Sequence, residues 1–470
     1  MIELINSFPD FSGSFGDKRI SKRAEQALNS LTMGRNSSLR QVSKKDSEQK
    51  SFYRLFNNES FTETGIQESI VNRCGQLCKG RHVLCIQDTT EFNLSKQRGR
   101  IAADSGLGRT SKDDVLGFML HSSLVIDADK STALGYSFIK AWHRKEDSPD
   151  RHERKYQQQS IEEKESYKWI EATRQSSTLL KEADLITIIA DRESDIYDLI
   201  AEEYDSKIQL LLRCNFNRRL ASGIFIIEHL NKLEVMHEYT LEVRGDVRKN
   251  IEKRTAKMEL KWDKVTLAKP KKCHGDTLPK TKELYIVEAK EKKTNGIVWR
   301  IYVTHPVTTA QEALQVIEWY KQRWYIEQVH RLLKTDGFRI ERSQLEQGWA
   351  IRKLTLLAMM ATLRILQMML AYEDDKEEQL MEEAFTQKQQ QCLQMINTQM
   401  EGQTVNLKNT AGPKTLRWAA WVIARLGGWK GYKSQRKPGP IVLQRGLAKF
   451  YLMFDGWTLF DNLQKDVSTQ

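Results

Sequence analysis

The chain has 470 residues, a length that suggests about three domains. Hydrophobic residues make up 40% and charged residues 29% of the sequence, which excludes disordered, collagen-like and disulfide-scaffold chains. The net charge of +12 is concentrated in residues 244–300, with 17 basic and 8 acidic residues, and in residues 405–450, with 10 basic and no acidic ones; such blocks favour a polyanion such as nucleic acid, although a solvated basic face is an equal alternative.

Residues 1–75 are predicted to form a small helical domain able to lie on DNA. Four basic residues recur at helical spacing beside apolar ones, and an aromatic patch that includes a basic residue follows at residues 52–56. A pair of surface helices without a ligand is the alternative. The four basic residues are Lys18, Arg19, Lys22 and Arg23.

Residues 76–213 change to an alternation of strands and helices. Three strands, a helix, a strand, a helix and a strand predict an α/β fold with a mixed sheet. We predict strands at residues 83–87, 118–126, 133–141, 185–190 and 208–213, and helices at 160–181 and 196–203.

Residues 214–306 have the alternating pattern of strands and are predicted to form a β-rich insertion that carries most of the basic excess. Residues 307–372 are predicted to return to the α/β core, with a long helix over 309–335. Residues 373–470 are predicted to be mostly helical. The insertion strands are expected at residues 239–243, 256–262, 283–289 and 297–303.

Residues 354–372 are the most apolar stretch. Arg364 and Gln367 interrupt it, so a buried helix is expected and not a membrane span. The first residues lack the basic-then-apolar pattern of a secretory signal. Six cysteines without a paired CxxC ladder indicate reduced thiols in a cytoplasmic protein and support no zinc site.

Two aspartates, Asp88 and Asp191, follow predicted buried strands. Ligands of open α/β sheets bind at the carboxyl ends of strands, so the two acids are expected to converge. Taken singly, each is more often a turn or helix-capping aspartate, and capping is a serious competitor at Asp191. A third group is therefore needed.

The helix predicted over residues 309–335 supplies that group. Four of its side chains, one acid among a tyrosine and two bases, fall within a stripe about 60° wide on one helix face. This set suits a metal-binding carboxylate beside groups that hold phosphate, whereas an i,i+4 pair of Arg323 with Glu327 is the simpler alternative. The four are Tyr320, Arg323, Glu327 and Lys334; His330 and Arg331 lie in the same turns, and Trp324 borders the stripe.

Three carboxylates surrounded by cations suit a pair of Mg²⁺ ions, which take oxygen ligands and leave positions open for water and phosphate oxygens. Two such ions support in-line displacement at phosphorus. The residues alone therefore predict an enzyme that acts on nucleic-acid phosphodiesters.

The sequence also resembles the bacterial DDE transposases of the insertion-sequence-four group, the Tn-five-like cut-and-paste enzymes. The Tyr-x2-Arg-x3-Glu-x6-Lys signature from Tyr320 to Lys334 carries the resemblance, together with the contexts of the two aspartates. Further similar segments are Phe15-Gly16-Asp17-Lys18-Arg19, Tyr53-Arg54, Asp88-Thr89-Thr90, Glu163-Lys-Glu-Ser166, Lys168-Trp169, Asp191-Arg192-Glu193, Trp418-Ala419 and Ile423-Ala424-Arg425-Leu426-Gly427-Gly428.

The resemblance implies an RNase H-like core in which Asp88, Asp191 and Glu327 bind two catalytic Mg²⁺ ions, with Mn²⁺ able to substitute. It also implies that several side chains contact DNA. Trp299 is expected to stack on a flipped base while the DNA end forms a hairpin, with Trp324 as its neighbour. The predicted DNA-contacting residues are Tyr320, Arg323, Lys334, Trp299, Trp324, Arg213, His330 and Arg331.

The function expected from the residues and the resemblance is cut-and-paste transposition. A homodimer would bind two transposon ends, with residues 373–470 as the dimerisation region and residues 1–75 as the end-binding domain. The partners are transposon-end and target DNA, and no membrane. A stand-alone RNase H-like nuclease and a non-catalytic repressor derived from a transposase are the alternatives.

Overall fold

A computed structural model describes residues 8–34, 36–102, 104–112, 114–145, 159–243, 252–271, 273, 277–334, 337–373, 379–404, 407–432, 435 and 437–468. The fold is mixed α/β with helical N- and C-terminal regions, as predicted. The chain divides into two compact units, unit 1 (residues 1–79, 89–148 and 325–470) and unit 2 (residues 80–88 and 149–324). The five predicted domains stay a sequence-based prediction.

Unit 1 is mainly helical and contains three strands of its own. Its elements are α1 (Lys18–Gly34), α2 (Leu39–Val42), α3 (Asp46–Asn57), α4 (Glu63–Leu77), β2 (Gly108–Arg109), β3 (Leu116–Asp127), β4 (Ala133–Trp142), α10 (Gly348–Glu373), α11 (Gln387–Met400), α12 (Leu416–Leu426) and α13 (Pro440–Ser468).

Unit 2 is mainly a sheet. Its elements are α5 (Tyr167–Leu179), β5 (Leu185–Ala190), α6 (Tyr197–Ala201), β6 (Ile208–Arg213), α7 (Ile226–Lys232), β7 (His237–Val243), β8 (Arg254–Ala268), β9 (Thr281–Glu291), β10 (Val298–Val303) and α8 (Ala310–Lys321). Two elements belong to both units, β1 (His82–Asn93) and α9 (Trp324–Lys334).

The sheet is mixed. In unit 2, β1, β5 and β6 are parallel, and β10, β9, β8 and β7 continue the sheet in antiparallel order. In unit 1, the second half of β1 neighbours β3, which pairs antiparallel with β2 and β4. The insertion is therefore not a separate sheet, because β10 pairs directly with β6.

The end of β1 packs closely on β3. A Cβ atom at Gly117 would lie 1.8 Å from the carbonyl oxygen of Phe92, so only glycine fits. The Phe92 and Phe118 rings stack with centroids 4.7 Å apart, and Thr89 Oγ1 lies 2.9 Å from His121 Nδ1. These contacts hold the chain that follows Asp88 in an extended conformation.

Three sequence-based boundaries are wrong. β1 extends through Asp88 to Asn93, because pairing with β3 continues the strand beyond the predicted run. The helix predicted over 160–181 is shorter, since residues 161–166 form turns before α5 begins at Tyr167. The helix predicted over 309–335 is two helices, because Gln322 and Arg323 form turns between α8 and α9.

Helix α10 contains the apolar stretch 354–372. By length and composition it could cross a membrane, but its most apolar window is completely buried within the protein. Arg364 is buried in it, between the Phe8 and Phe385 rings at 5.4 and 5.8 Å, and donates to Gln367 Oε1 at 3.2 Å. Neutral and aromatic neighbours explain how the core accommodates this arginine.

The N-terminal helices only partly match the predicted DNA-binding surface. Lys18, Arg19 and Lys22 are exposed on α1. Phe52 and Phe56 of the predicted aromatic patch are instead completely buried, because α3 packs on α1 and α10. The aromatic residues of this patch therefore belong mainly to the core, and the exposed bases remain for a ligand.

Candidate active site

Asp88 and Asp191 lie next to each other on parallel strands. The last paired residues of β1 and β5 are Ile86 and Ile189, and each aspartate follows its partner by two positions. Side chains two residues apart point to the same face, and neighbouring strands lie about 4.8 Å apart. Asp88 therefore stands within β1 and not at its end, at the point where its parallel partner β5 stops.

Asp191 has the capping role considered from the sequence. Its Oδ1 accepts the backbone N–H of Glu193 at 3.0 Å and caps a short 3-10 turn. Its backbone carbonyl accepts the Ser194 hydroxyl at 2.6 Å. The cap uses one carboxylate oxygen and fixes the direction of the other, so capping and ligand binding are compatible.

Arg323 brings a cation to the aspartates. Its guanidinium lies 4.0 Å from Asp88 Oδ2, and both side chains are mostly buried. Arg323 reaches this position because α8 ends in 3-10-type bonds, from Gln322 N–H to the Trp319 carbonyl and from Arg323 N–H to the Tyr320 carbonyl. The predicted straight stripe is therefore wrong, although Tyr320 and Arg323 do lie near the aspartates.

Tyr320 is buried beside Trp299 and Arg213. The Trp299 and Tyr320 rings meet edge-to-face with centroids 5.7 Å apart. Burial raises the pKa of Tyr320, and the nearby Arg213 and Arg323 oppose the rise. Its hydroxyl lies close to both guanidinium groups, and a hydrogen bond with Arg213 also opposes the rise in pKa. A buried hydroxyl between two guanidinium groups suits an anionic ligand such as phosphate.

Trp299 lies on β10, as predicted, and pairs with Ala289 of β9. Arg213 ends β6, is paired with Ile301 of β10, and donates to the Val298 carbonyl at 3.3 Å. The two positions, 86 residues apart in sequence, are therefore neighbours through the pairing of β6 with β10.

The remaining predicted residues are on α9, which Trp324 begins. Glu327 is in its first turn and partly exposed, and His330 is buried. Arg331 is exposed, and the Lys334 ammonium lies 5.6 Å from the centroid of the Phe92 ring. Glu327, His330, Arg331 and Lys334 belong to unit 1. Trp324, Asp88 and Asp191 belong to unit 2. Among the described residues, no three His, Cys, Asp or Glu side chains form a group able to hold a metal ion.

Part of the charge of the β-rich insertion is engaged within its own sheet. Five of its basic residues form ion pairs with glutamates on β7, β8 and β9. This narrows the predicted DNA-backbone surface to other cations, such as the exposed Lys257 and Lys290. The paired residues are Lys253 with Glu242, Arg254 with Glu291, Lys264 with Glu283, Lys292 with Glu238 and Glu259, and Arg300 with Glu288.

The loop after β6 was missed in the sequence. It leaves the sheet beside Asp191 and carries the exposed Phe216. The signal was present in Arg213-Cys-Asn-Phe-Asn-Arg-Arg219, an aromatic among asparagines and arginines at a strand end. The alternation of apolar and polar residues ends with the strand, so this pattern did not distinguish the loop from the insertion that follows it.

Comparison with solved structures gives a weak match. The "Cryo-EM structure of piggyBac transposase synaptic complex with hairpin DNA (SNHP)" aligns with 73% of this chain and 64% of that chain, at 8% identity and a TM-score of 0.34. This chain thus covers less than two thirds of that protein.

Comparison with protein families gives two matches in consecutive parts of the chain. Residues 12–61 match the family described as "Transposase DNA-binding". Residues 147–364 match the "Transposase DDE domain", a segment that contains Asp191 and Glu327 but begins after Asp88. The chain therefore contains a transposase DNA-binding domain and a transposase DDE domain.

Proposed function

We propose that the protein is a cut-and-paste transposase of the Tn-five-like, insertion-sequence-four group that cleaves transposon ends through a hairpin and joins the 3′ ends to target DNA. The observation that carries the proposal is the pair of adjacent aspartates, Asp88 and Asp191, with Arg323, Tyr320 and Arg213 grouped beside them. Acids with phosphate-binding groups at one sheet edge suit phosphodiester chemistry.

The strand order supports an RNase H-like core. Each adjacent pair lies within one unit: β4 with β3 and β3 with β1 in unit 1, and β1 with β5 and β5 with β6 in unit 2. β4 and β3 are antiparallel, β3 neighbours β1, and β5 and β6 are parallel to β1. This arrangement places the first acid on β1 and the second just after β5.

Glu327 is the third acid of the proposed site. It follows Arg323, the residue that faces Asp88, by four residues and lies in the first turn of α9. Hard carboxylate oxygens are the donor set that Mg²⁺ and Mn²⁺ take, so Asp88, Asp191 and Glu327 would hold the ions. When bound, these ions would act as Lewis acids toward the phosphate oxygens.

The residues of this chain would hold the DNA in position for the same reaction several times. Tyr320, Arg213 and Arg323 would bind phosphates, with Lys334 as a further point charge. A water oxygen bonds to phosphorus as the bond to the 3′ oxygen breaks. The freed 3′-hydroxyl then bonds to a phosphorus of the opposite strand as the bond from that phosphorus to its own 3′ oxygen breaks, which forms the hairpin. Water bonds to the same phosphorus and releases the 3′-hydroxyl, which then bonds to a target phosphorus as the bond to the 3′ oxygen of the target strand breaks.

Hairpin formation requires distortion of the DNA end, which costs a few kcal/mol of unstacking. Stacking on an aromatic ring offsets about 1–3 kcal/mol per base. Trp299 is the proposed stacking residue, with Trp324 as its neighbour. The edge-to-face contact with Tyr320 supports this role because it fixes the indole beside a phosphate-binding residue.

The proposed active form is a homodimer on two DNA ends. Helix α13 supports this proposal, because four large apolar side chains on it are exposed. An apolar helix face of this kind needs a partner to be removed from water. The exposed side chains are Leu452, Met453, Leu459 and Phe460.

The decisive test is cleavage of the DNA that flanks the gene, with Mg²⁺, on a denaturing gel. Wild type should give hairpin-ended products. Glu327→Ala should give none and still bind the end fragment, whereas the control Glu318→Ala, which removes a surface pair with Lys321, should cleave normally. Equal loss of binding and cleavage in folded Glu327→Ala would refute its role. Unspecific nicking would indicate a nuclease, and binding without cleavage by wild type a repressor.

A second test separates the steps. Trp299→Ala should leave the first nick unchanged and reduce hairpin yield by about 5- to 100-fold, from the stacking energy of one base. The ratio of hairpin to nicked product over time measures this effect. An unchanged ratio would refute the stacking role.

A further inference from the structure

The loop of residues 214–219 lies at the same sheet edge as the two aspartates. β1, β5 and β6 are parallel, so their carboxyl ends face the same way. The loop follows Arg213, the last residue of β6, and its first N–H, that of Cys214, donates to the Arg300 carbonyl at 2.8 Å. A group on this loop is therefore near any DNA strand held at Asp88 and Asp191.

One buried carboxylate holds the start of the loop. Asp195 accepts the backbone N–H groups of Asn215 and Phe216 at 2.7 and 2.8 Å through Oδ2, and the Arg218 Nε at 2.7 Å through Oδ1. Arg218 also donates to the Asp195 carbonyl at 2.7 Å. Asp195 has no exposed side-chain surface, and Arg218 has 8%. Four charge-assisted or buried bonds on one residue make the loop rigid.

The other end of the loop is held by α7. Asn217 Oδ1 accepts the Ile227 N–H at 3.0 Å, and the Arg218 carbonyl accepts the Ile226 N–H at 3.0 Å. Residues on both sides of Phe216 are therefore anchored. The backbone cannot turn to bury the phenyl ring without breaking these bonds.

Phe216 points outward from this rigid loop. It is 57% exposed, and the Arg218 guanidinium lies 5.6 Å from its ring centroid. The ring and Arg218 form part of the wall of a cleft of about 930 Å³. Isolated exposed apolar residues are ordinary, but a ring fixed in position by buried hydrogen bonds loses little entropy when a planar group stacks on it.

We propose that Phe216 is a second stacking residue, which binds an unpaired DNA base beside the cleavage site. The inference rests on the proposed function and is independent of Trp299, which lies on β10. Stacking accepts any base, because every base has a π-face, and the adjacent Arg218 adds a cation. The base could come from the transposon end or from target DNA, and the test distinguishes the two.

The test uses the full-length chain in the Glu327→Ala background, so that binding is measured without cleavage. The probes are an end duplex with two unpaired terminal bases, a fully paired end duplex, and a target duplex with a two-base mismatch, each carrying 2-aminopurine. Phe216→Ala is compared with Phe216→Trp and with Phe225→Ala, a 47% exposed phenylalanine before α7.

Phe216→Ala should bind one unpaired probe about 5- to 100-fold more weakly, with less 2-aminopurine quenching, and the fully paired duplex unchanged. Phe216→Trp should restore both, and Phe225→Ala should match its parent. The probe that responds identifies the source of the base. Equal loss on all probes, or no loss on either unpaired probe, would overturn the proposal. A changed sedimentation of the DNA-free protein would indicate a protein contact instead and also overturn it.

Failure of the proposed function gives a different result. If the parent binds no end or target duplex, the transposase function and the stacking role both fail. If the parent binds and quenches but wild type never cleaves, the proposed function fails while the stacking measurement still stands.

Discussion

The two halves of the unit 2 sheet differ in how their charged side chains are arranged. In the antiparallel half, β7 to β10, opposite charges face each other across strands, as Arg300 and Glu288 do in direct register. In the parallel half, two like charges, Asp88 and Asp191, lie side by side. Antiparallel pairing brings cations and carboxylates of neighbouring strands face to face, whereas parallel strands collect their ends at one edge. Paired opposite charges thus stabilise the fold, and the edge with two adjacent carboxylates suits a ligand.

The largest expected effect is the loss of cleavage when a carboxylate at the sheet edge of Asp88 and Asp191 is removed. Asp191→Asn should reduce cleavage by roughly three orders of magnitude, because an electrostatic contribution of several kcal/mol is lost. The amide oxygen can still accept the Glu193 N–H and the repulsion from Asp88 disappears, so the melting temperature should stay equal or rise. Initial cleavage rates and calorimetry measure both. Asp184→Asn, exposed before β5, is the control, and a large loss of stability in Asp191→Asn would contradict the comparison.

The reverse effect is expected in the antiparallel half. Arg300→Met should lower the free energy of unfolding by about 2–4 kcal/mol, because Glu288, 4% exposed, is left unpaired. Chemical denaturation measures the loss, and cleavage per folded molecule should not change. Combining it with Glu288→Leu should recover most of the stability. Loss of cleavage without loss of stability would assign Arg300 to the site.

At the opposite end of the parallel strands, His305 should make stability depend on pH. Thr187 Oγ1 lies 2.8 Å from Nε2 of both His82 and His305, and burial, with the charge of His82, lowers the pKa of His305 to about 4. The unfolded chain binds the proton first, near pH 6.5, so stability is fully present above that pH and falls as the pH decreases toward 4, by about 3 kcal/mol at most.

Denaturation of wild type and His305→Gln at pH 7 and pH 4.5 measures this dependence. The variant should lose less stability between the two pH values, whereas His237→Gln on β7 should behave as wild type. A slope unchanged by His305→Gln would exclude this histidine as the cause.

The smallest effect on stability is expected for Tyr320→Phe. Removing its hydroxyl takes away one side-chain contact with Arg213, so the free energy of unfolding should fall by about 0.5–1 kcal/mol, while end cleavage falls. Tyr197→Phe is the matched variant, since its hydroxyl donates to the Pro279 carbonyl at 2.9 Å; it should cost about 1 kcal/mol and leave cleavage unchanged. Denaturation and cleavage assays on both variants distinguish a role of each hydroxyl in stability from a role in cleavage.

Elements whose bounds and burial depend on residues close in sequence were predicted well. β5 and β6 have the predicted bounds, since a continuous apolar run between turn residues describes a buried strand. The burial of α10 also follows from its composition. Element ends were predicted less well, because they depend on partners distant in sequence: β1 continues along β3, and α8 ends where Tyr320 and Arg323 face Arg213 and Asp88.

The predicted site shows the same division. The sequence predicted which side chains would carry the chemistry, and the structure brings Asp88, Asp191, Arg213, Tyr320 and Arg323 together in unit 2. The roles of Glu327 and Lys334 stay predictions. The ion pairs of the insertion lysines were not predictable from the sequence, because a count of charges does not show which residues face each other across neighbouring strands.

By itself, the sequence determined the class of fold, the two buried strands beside the site, and the order of acids, bases and aromatics along the chain. Local periodicity and side-chain chemistry suffice for these properties. Only the tertiary structure decided that Phe52 and Phe56 are buried, that Asp88 lies inside a strand, and that Phe216 points outward. Burial, register and loop direction depend on contacts between residues far apart in the chain, and these form only when the whole sheet is assembled.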